Sequence, residues 1–173
     1  DSEEIIKKTN LESVYILNDF QVLGYGLNLL KDKDLTLIKK GKTPKNKTKA
    51  IIGPGTGLGK TILAYNKKNN LYIPLESEGG HADFPARNSF ELELIDFVKK
   101  FRKIEMPITC EELLSGRGLE NIHYFLRIKS SDEKNKILDE IDDAFDKASL
   151  ISKYKDRDET CKKTFTLFTK FFA

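Results

Sequence analysis

The sequence has few cysteines and no long apolar run, and both absences narrow the class of protein. Its two cysteines, Cys110 and Cys161, lie far apart without a second pair, so we predict neither a disulfide framework nor a zinc site. This usage is typical of a reducing compartment, and we expect a cytoplasmic protein. No apolar run approaches the ~18 residues that a membrane-spanning helix needs, so we expect no membrane partner.

The rest of the composition is ordinary for a globular domain. Of the 173 residues, 39% are hydrophobic and 33% are charged, which allows a sizeable core. The net charge of +3 is small, and the one basic cluster, residues 39–49, contains no aromatic residue. We therefore interpret this cluster as a solvated loop and expect no nucleic-acid partner. Strong, steeply salt-dependent DNA binding would favour the alternative.

Residues 53–61, GPGTGLGKT, look at first like the phosphate-binding loop of a P-loop NTPase. Pro54 stands where that pattern requires a glycine, so the register fails by one residue. A P-loop must also open a helix, whereas strand-like runs at 62–65 and 71–75 flank a polar turn at 67–70. We therefore predict a strand-to-hairpin turn.

The apolar spacing predicts an alternating α/β chain followed by a helical half. A short helix is expected at residues 2–9, and a second helix follows Asn18 and Asp19. A continuous apolar run predicts a strand at residues 14–17, and further strands are expected at residues 35–38 and 50–52. The second helix shows helical spacing at Phe20, Leu23, Leu27 and Leu30.

The second half of the chain carries helix-start signals and apolar helix faces. Asn88 with Glu91, and Ser130 with Glu133, resemble capping boxes. The residues expected to face inward are Leu94, Phe97, Val98 and Phe101 in the first of these helices, and Ile137, Leu138, Ile141 and Phe145 in the second. A last stripe comprises Leu167, Phe168, Phe171 and Phe172. We interpret it as the cut face of a fragment; the alternative is a helix that docks on its own core.

Three places concentrate polar chemistry, and each also has a structural explanation. Asp19 follows a predicted strand, where α/β ligands bind and a carboxylate can take a proton, but it could equally be a helix cap. Glu78 and His81 flank paired glycines that allow close approach to a ligand. Glu111 and Glu112 fall in the first turn of a predicted helix that Thr109 could cap, where the helix dipole alone favours acids.

Together, four segments in order resemble the bacterial-type glucokinases of the hexokinase superfamily. The segments are ILNDF at 16–20, GPGTGLG at 53–59, SEGGHADF at 77–84 and EELLSGRGL at 111–119. The resemblance runs from about residue 13 to the end. It implies an actin-like, ribonuclease H-like α/β fold with a mixed sheet and a helical C-terminal half. It also implies a cytoplasmic enzyme of glycolysis that uses ATP and Mg²⁺ to phosphorylate glucose at the 6-hydroxyl.

The resemblance also assigns roles to residues. Asp19 would be the catalytic general base. The sugar would be bound by Asn18, Asp19, Thr56, Gly57, Glu78, His81 and Glu111. The phosphates would be bound by Gly53, Gly55, Thr56, Gly57 and Gly59, whose amides can form an anion-binding nest. No metal ligand is expected in this chain. A homodimer is possible.

Departures from the family pattern limit what this chain is expected to do alone. Pro54 and Arg117 stand where a small residue and a proline are expected, and Lys60 replaces an apolar residue. The family's opening phosphate loop and its closing adenosine segment do not occur. We therefore expect an internal fragment, with residues 1–49 between the lobes and 50–173 forming most of the large lobe, that is inactive by itself. A sugar-binding regulator could dispense with Asp19, so the Asn18–Asp19 pair favours an enzyme.

Overall fold

A computed structural model of the chain describes residues 1–42, 46–130 and 136–173. The described helices and strands follow one another as α1 (Ser2–Lys8), α2 (Asp19–Gly26), β1 (Lys49–Pro54), β2 (Leu58–Asn66), β3 (Leu71–Leu75), α3 (Ser89–Arg102), α4 (Gly116–Ser130), α5 (Lys136–Asp143), α6 (Lys147–Lys153) and α7 (Glu159–Phe172). Short 3-10 helices lie at Leu27–Leu29, Asp32–Asp34, Gly79–His81 and Cys110–Glu112. The α/β class and the helical C-terminal half are therefore confirmed.

The chain divides into two compact units. Unit 1 comprises Asp1–Ile52 and Lys60–Ser77. Unit 2 comprises Gly53–Gly59 and Glu78–Ala173. The described strands form one sheet in the order β1-β2-β3.

In unit 1 the predicted hairpin is confirmed. Strands β2 and β3 pair antiparallel, with Tyr65 opposite Tyr72 and their rings in edge contact at 5.4 Å. The turn is closed by the Asn66 side chain, which accepts hydrogen bonds from the amides of Lys68 and Asn69 at 2.9 and 3.3 Å. The Gly59–Thr61 part of the glycine-rich segment lies within β2. It therefore does not open a helix, and a P-loop is excluded.

Helix α2 packs on β3. A Cβ at Gly24 would lie 2.5 Å from Cβ of Pro74, so the close approach requires glycine there. Asn28, in the 3-10 turn after α2, donates to the Tyr72 carbonyl at 3.1 Å and accepts from its amide at 3.1 Å. These bonds fix the helix end to the edge of the hairpin.

Two predicted strands of unit 1 are wrong. Residues 14–17 and 35–38 have no regular secondary structure, and Tyr15 and Ile38 are 84% and 96% exposed. A strand needs a neighbour for its backbone hydrogen bonds, and no described strand pairs with either run. The basic cluster at 39–49 includes residues 43–45, which lie outside the described residues.

The core of unit 2 is formed by α3, α4 and α7 with the segments between them. The fully buried side chains include Leu94, Val98, Leu113 and Ile122, and Phe90 and Phe97 both make ring contacts with Phe125. A second cluster is formed around α5 and α6 by Ile141, Ile151, Tyr154 and Cys161. Burial raises the pKa of the Cys161 thiol to about 12, so this cysteine is inert rather than reactive.

The predicted N-cap at Asn88 is confirmed, whereas the Glu91 carboxylate accepts from the Asn88 side chain and the Arg87 amide in place of the Asn88 amide of a capping box. Asn88 accepts from the Glu91 amide at 3.0 Å and donates to the Glu91 carboxylate at 2.8 Å, which starts α3. For the second box, Ser130 ends α4 and Glu133 lies outside the described residues. Two inward assignments are wrong, because Phe101 is 43% exposed and Phe145 is fully exposed. Phe145 follows the end of α5, so helical spacing no longer places it on the buried face.

The last helix docks on the core of its own unit. Phe168 of α7 is buried, and Leu167 and Phe171 pack against the same cluster, with Phe171 in edge contact with Phe84 at 5.1 Å. The apolar face of α7 thus packs within unit 2, as the second of the two interpretations of this face expected. None of the described helices is long and apolar enough to cross a membrane.

Candidate sugar-binding site

The glycine-rich turn between β1 and β2 is tied to the start of α4. Within the turn, the amide of Gly55 donates to the carbonyl of Gly57 at 2.7 Å. The carbonyl of Gly55 accepts from the amide of Gly116 at 2.9 Å. Thr56 at the tip is exposed, so its hydroxyl is available to a ligand.

Glu111 is held against this turn. One carboxylate oxygen, Oε2, accepts from the amide of Leu58 at 3.1 Å, and the Glu111 side chain is only 21% exposed. A Cβ at Gly57 would lie 2.3 Å from the same oxygen. Gly57 is therefore required for close approach of the carboxylate and not for an unusual backbone angle, because its φ is not positive.

His81 lies between two carboxylates. Its Nδ1 is 3.6 Å from Oε2 of Glu78, and its Nε2 is 3.9 Å from Oε2 of Glu111. Gly80 allows this, because a Cβ there would lie 2.3 Å from the carbonyl oxygen of Leu58. The 3-10 turn of Gly79–His81 therefore lies directly on the residue whose amide binds Glu111.

Backbone hydrogen bonds hold the two acidic segments side by side. Asp83 and Thr109 form an isolated antiparallel bridge. On either side of it, the amide of Phe84 donates to the carbonyl of Ile108 and the amide of Cys110 donates to that of Ala82, each at 2.8 Å. The positions of His81 and Glu111 are thus set by main-chain bonds.

This arrangement suits a neutral ligand with several hydroxyl groups. The separations of His81 from Glu78 and Glu111 exceed hydrogen-bond length, so these three side chains are not hydrogen-bonded to one another and can each bond a ligand. Two carboxylates and an imidazole can together accept from and donate to hydroxyls. Among the described residues, no group of three or more His, Cys, Asp and Glu could hold a metal ion.

Asn18 and Asp19 lie in unit 1, at the start of α2. Asn18 is the helix cap, and the amide of Phe20 donates to both Oδ1 of Asn18 and Oδ1 of Asp19 at 2.9 Å. Asp19 is thus a first-turn residue whose Oδ2 remains for another partner.

Two partners of Glu111 were not predicted from the sequence, and the helix predicted to contain it is wrong. Cys110–Glu112 is a 3-10 turn whose Thr109 makes no side-chain cap, so the expected capped helix is wrong. The amide of Leu58 and the guanidinium of Arg117, 3.7 Å from Oε1, are the unpredicted partners. Arg117 could have been predicted as a partner, because it is a cation that closely follows two acids in the sequence. The contact with Leu58 has no signal in the sequence.

Comparison with known proteins assigns the family. The family model for glucokinase matches residues 1–173. The chain belongs to the glucokinase family. It is 38% identical over 127 residues to the glucokinase of Nostoc punctiforme, which covers 73% of this chain and 36% of that protein. It is 34% identical over 126 residues to the Helicobacter pylori glucokinase, with coverage of 72% and 36%. The chain thus spans about a third of the glucokinase relatives it matches.

Solved glucokinase structures share the fold. A glucokinase from an Antarctic psychrotroph matches with a TM-score of 0.73 and 23% identity, over 98% of this chain and 49% of that one. The Balamuthia mandrillaris glucokinase in complex with glucose matches with a TM-score of 0.61 and 23% identity, over 75% of this chain and 35% of that one. The predicted fold class is confirmed by these likenesses.

The contact between Gly57 and Glu111 predicts a local effect in this glucokinase family member. In Gly57→Ala, the new methyl group would displace the Glu111 carboxylate, which can move because it ends a flexible side chain. We expect glucose to bind about tenfold more weakly, as for the loss of one hydrogen bond to a charged group, with little change in thermal stability. Isothermal titration of the full-length protein measures this.

Gly26→Ala is the matched control for Gly57→Ala. Apart from its chain neighbours and its own helix backbone, no described atom lies within 4 Å of a Cβ at Gly26, so glucose affinity should be unchanged. Equal affinities for Gly57→Ala and the wild type would contradict the proposed role of Glu111.

Proposed function

We propose that the full-length protein transfers the γ-phosphoryl group of ATP to the 6-hydroxyl of glucose, the first step of glycolysis. This chain would supply the sugar-binding residues and the general base. The observation that carries the proposal is the convergence of Glu78, His81 and Glu111 on the glycine turn in a chain of the glucokinase family. Glucose is chosen as the sugar because a fold relative was solved in complex with it.

The side chains of Glu78, His81 and Glu111 explain how glucose could be distinguished from its analogues. A site that hydrogen-bonds each hydroxyl rejects an analogue that lacks one, because its own buried polar groups are then left without partners. Glu111 suits this role because it is mostly buried and already oriented by the Leu58 amide. Glu78 and His81 are more exposed, at 79% and 62% of their side chains, and would be covered by the bound sugar.

Asp19 would act as the general base, and Asn18 would bind a neighbouring hydroxyl. With Oδ1 of Asp19 oriented by the Phe20 amide, Oδ2 is the oxygen assigned to the 6-hydroxyl proton. Phosphoryl transfer passes through a loose transition state, so the base need not be strong. Its tasks are to orient the hydroxyl and to accept its proton late.

The glycine turn would face the phosphates. The Gly55 amide is bonded within the turn and the Leu58 amide is bonded to Glu111, so we assign the phosphate contacts to the amides of Thr56 and Gly57, with Gly53, Gly55 and Gly59 shaping the loop. The family implies Mg²⁺ with ATP, but the described residues offer no cluster for a metal. No step is therefore assigned to a metal bound by this chain.

The lobe assignment is also part of the proposal. Residues 1–49 would form the segment between two lobes, carrying Asn18 and Asp19, and residues 50–173 would form most of the large lobe. In this arrangement the glycine turn, Glu78, His81 and Glu111 belong to one lobe.

A phosphoryl-transfer assay on the full-length protein tests the function. Glucose, mannose, fructose and glucosamine would be offered with ATP, ADP or polyphosphate. We expect the highest kcat/KM for glucose with ATP, and Glu111→Gln should raise the KM for glucose. Glucose binding without turnover for any donor would contradict the proposal and indicate a sugar-binding protein on the same fold.

A further inference from the structure

Arg117 contacts the carboxylates of two adjacent glutamates. Its Nη2 lies 3.7 Å from Oε1 of Glu111, and its Nη1 lies 3.4 Å from Oε1 of Glu112. The Glu112 side chain is only 13% exposed, and its Oε2 has no hydrogen-bond partner among the described residues. In the described part of the chain, Arg117 is the only lysine or arginine paired with either glutamate.

The backbone on both sides of Arg117 is fixed by contacts of its neighbours. The preceding residue, Gly116, is bonded to the carbonyl of Gly55 at 2.9 Å. The following residue, Gly118, donates to Oγ of Ser115 at 3.1 Å, and a Cβ there would lie 2.3 Å from the Leu113 backbone. The start of α4 is therefore fixed against both the glycine turn and the acidic turn.

The two oxygens of Glu111 thus have different neighbours. Oε2 is bonded to the Leu58 amide, and Oε1 faces the Arg117 guanidinium. Without the cation, the neighbouring negative charges of Glu111 and Glu112 would not be balanced, and the Leu58 hydrogen bond alone would orient the Glu111 carboxylate. A guanidinium can span two carboxylates because its donors form a planar fork, which a lysine ammonium cannot reproduce.

We infer that Arg117 is a positioning residue for sugar binding, which orients Glu111 by pairing with it and with Glu112. The inference rests on the proposed function and extends it to a residue that does not itself touch the sugar. Because Glu111 would bind a hydroxyl equally in the ground state and the transition state, loss of Arg117 should change KM more than kcat.

Steady-state kinetics of the full-length protein with glucose test this inference. In Arg117→Ala we expect the KM for glucose to rise about 3- to 10-fold, as for a partly exposed ion pair that orients a ligand group, with kcat within about twofold. Arg117→Lys should give an intermediate KM. In a Glu111→Gln background, Arg117→Ala should add little, since coupled residues are not additive.

Arg102→Ala is the structural control. Arg102 bonds Asn121 and Glu120 at 2.6 and 2.9 Å, so its loss should lower thermal stability without raising the KM. An unchanged KM in Arg117→Ala, or an equal rise in the Glu111→Gln background, would overturn the inference while wild-type turnover upholds the proposed function. Absence of wild-type turnover would overturn both.

Discussion

Replacing Asp19 with asparagine in the full-length protein is expected to lower kcat for glucose phosphorylation by about 10²- to 10⁴-fold, the usual contribution of a general base. The amide of asparagine can still accept from Phe20, which Oδ1 of Asp19 does at 2.9 Å. Its NH₂ group, however, cannot take the proton of the 6-hydroxyl. We therefore expect α2 to keep its start and the reaction to lose its proton acceptor.

Binding measurements separate this effect from a loss of affinity. The glucose Kd of Asp19→Asn should rise by no more than about tenfold, because one neutral hydrogen bond contributes ~0.5–1.5 kcal/mol. The charge-matched control is Asp32→Asn, an exposed acid in the Asp32–Asp34 turn of the same unit, whose kcat should equal that of the wild type. A kcat for Asp19→Asn within threefold of the wild type would refute the assignment of the base.

Acidification is expected to destabilise the protein through His123. Its side chain in α4 is fully buried, and its pKa is lowered from 6.5 to about 4, first by burial and then by the nearby Arg127, against the opposing charges of Asp158 and Asp142. His123 is therefore protonated near pH 6.5 in the unfolded chain but only near pH 4 in the folded chain. The contribution of His123 to the free energy of unfolding is therefore fully present above pH 6.5. It falls by about 3 kcal/mol as the pH is lowered from 6.5 to about 4.

The hydrogen-bond geometry explains why His123 stays neutral in the folded protein. Thr164 donates its hydroxyl proton to the carbonyl of Thr160 at 2.7 Å, so its oxygen can only accept from Nδ1 of His123, 3.4 Å away. The neutral ring therefore carries its proton on Nδ1. Protonation would place a second N–H on Nε2, which has no partner among the described residues, and a buried donor without an acceptor is costly.

Urea unfolding at pH 7, 6, 5 and 4 measures this linkage. His123→Asn cannot titrate, so it should lose less stability than the wild type over this range, whatever its stability at pH 7. The wild type measured in parallel is the reference for this slope. Identical slopes for His123→Asn and the wild type would contradict the prediction.

Local signals in the sequence predicted the local structure well. The start of α2 near Asn18 and Asp19, the N-cap at Asn88 and the β2–β3 hairpin were predicted correctly because each depends on residues within a few positions. The cap that the sequence offered at Asp19 is instead made by Asn18. The strands predicted at 14–17 and 35–38 are wrong because a strand forms only when another segment pairs with it. Phe145 shows the same limit, since helical spacing does not mark where the helix ends.

The sequence by itself determined the family, through four segments in order, and with it which residues to propose for the sugar. Only the tertiary structure decided their geometry. Leu58 reaches Glu111 across 53 positions, and a methyl group at Gly57 would meet that same carboxylate. Arg117, in the sequence only a departure from an expected proline, lies 3.7 Å from Glu111, and the residue before it is bonded to Gly55 of the glycine turn. Such contacts depend on backbone packing between distant segments, which no local pattern encodes.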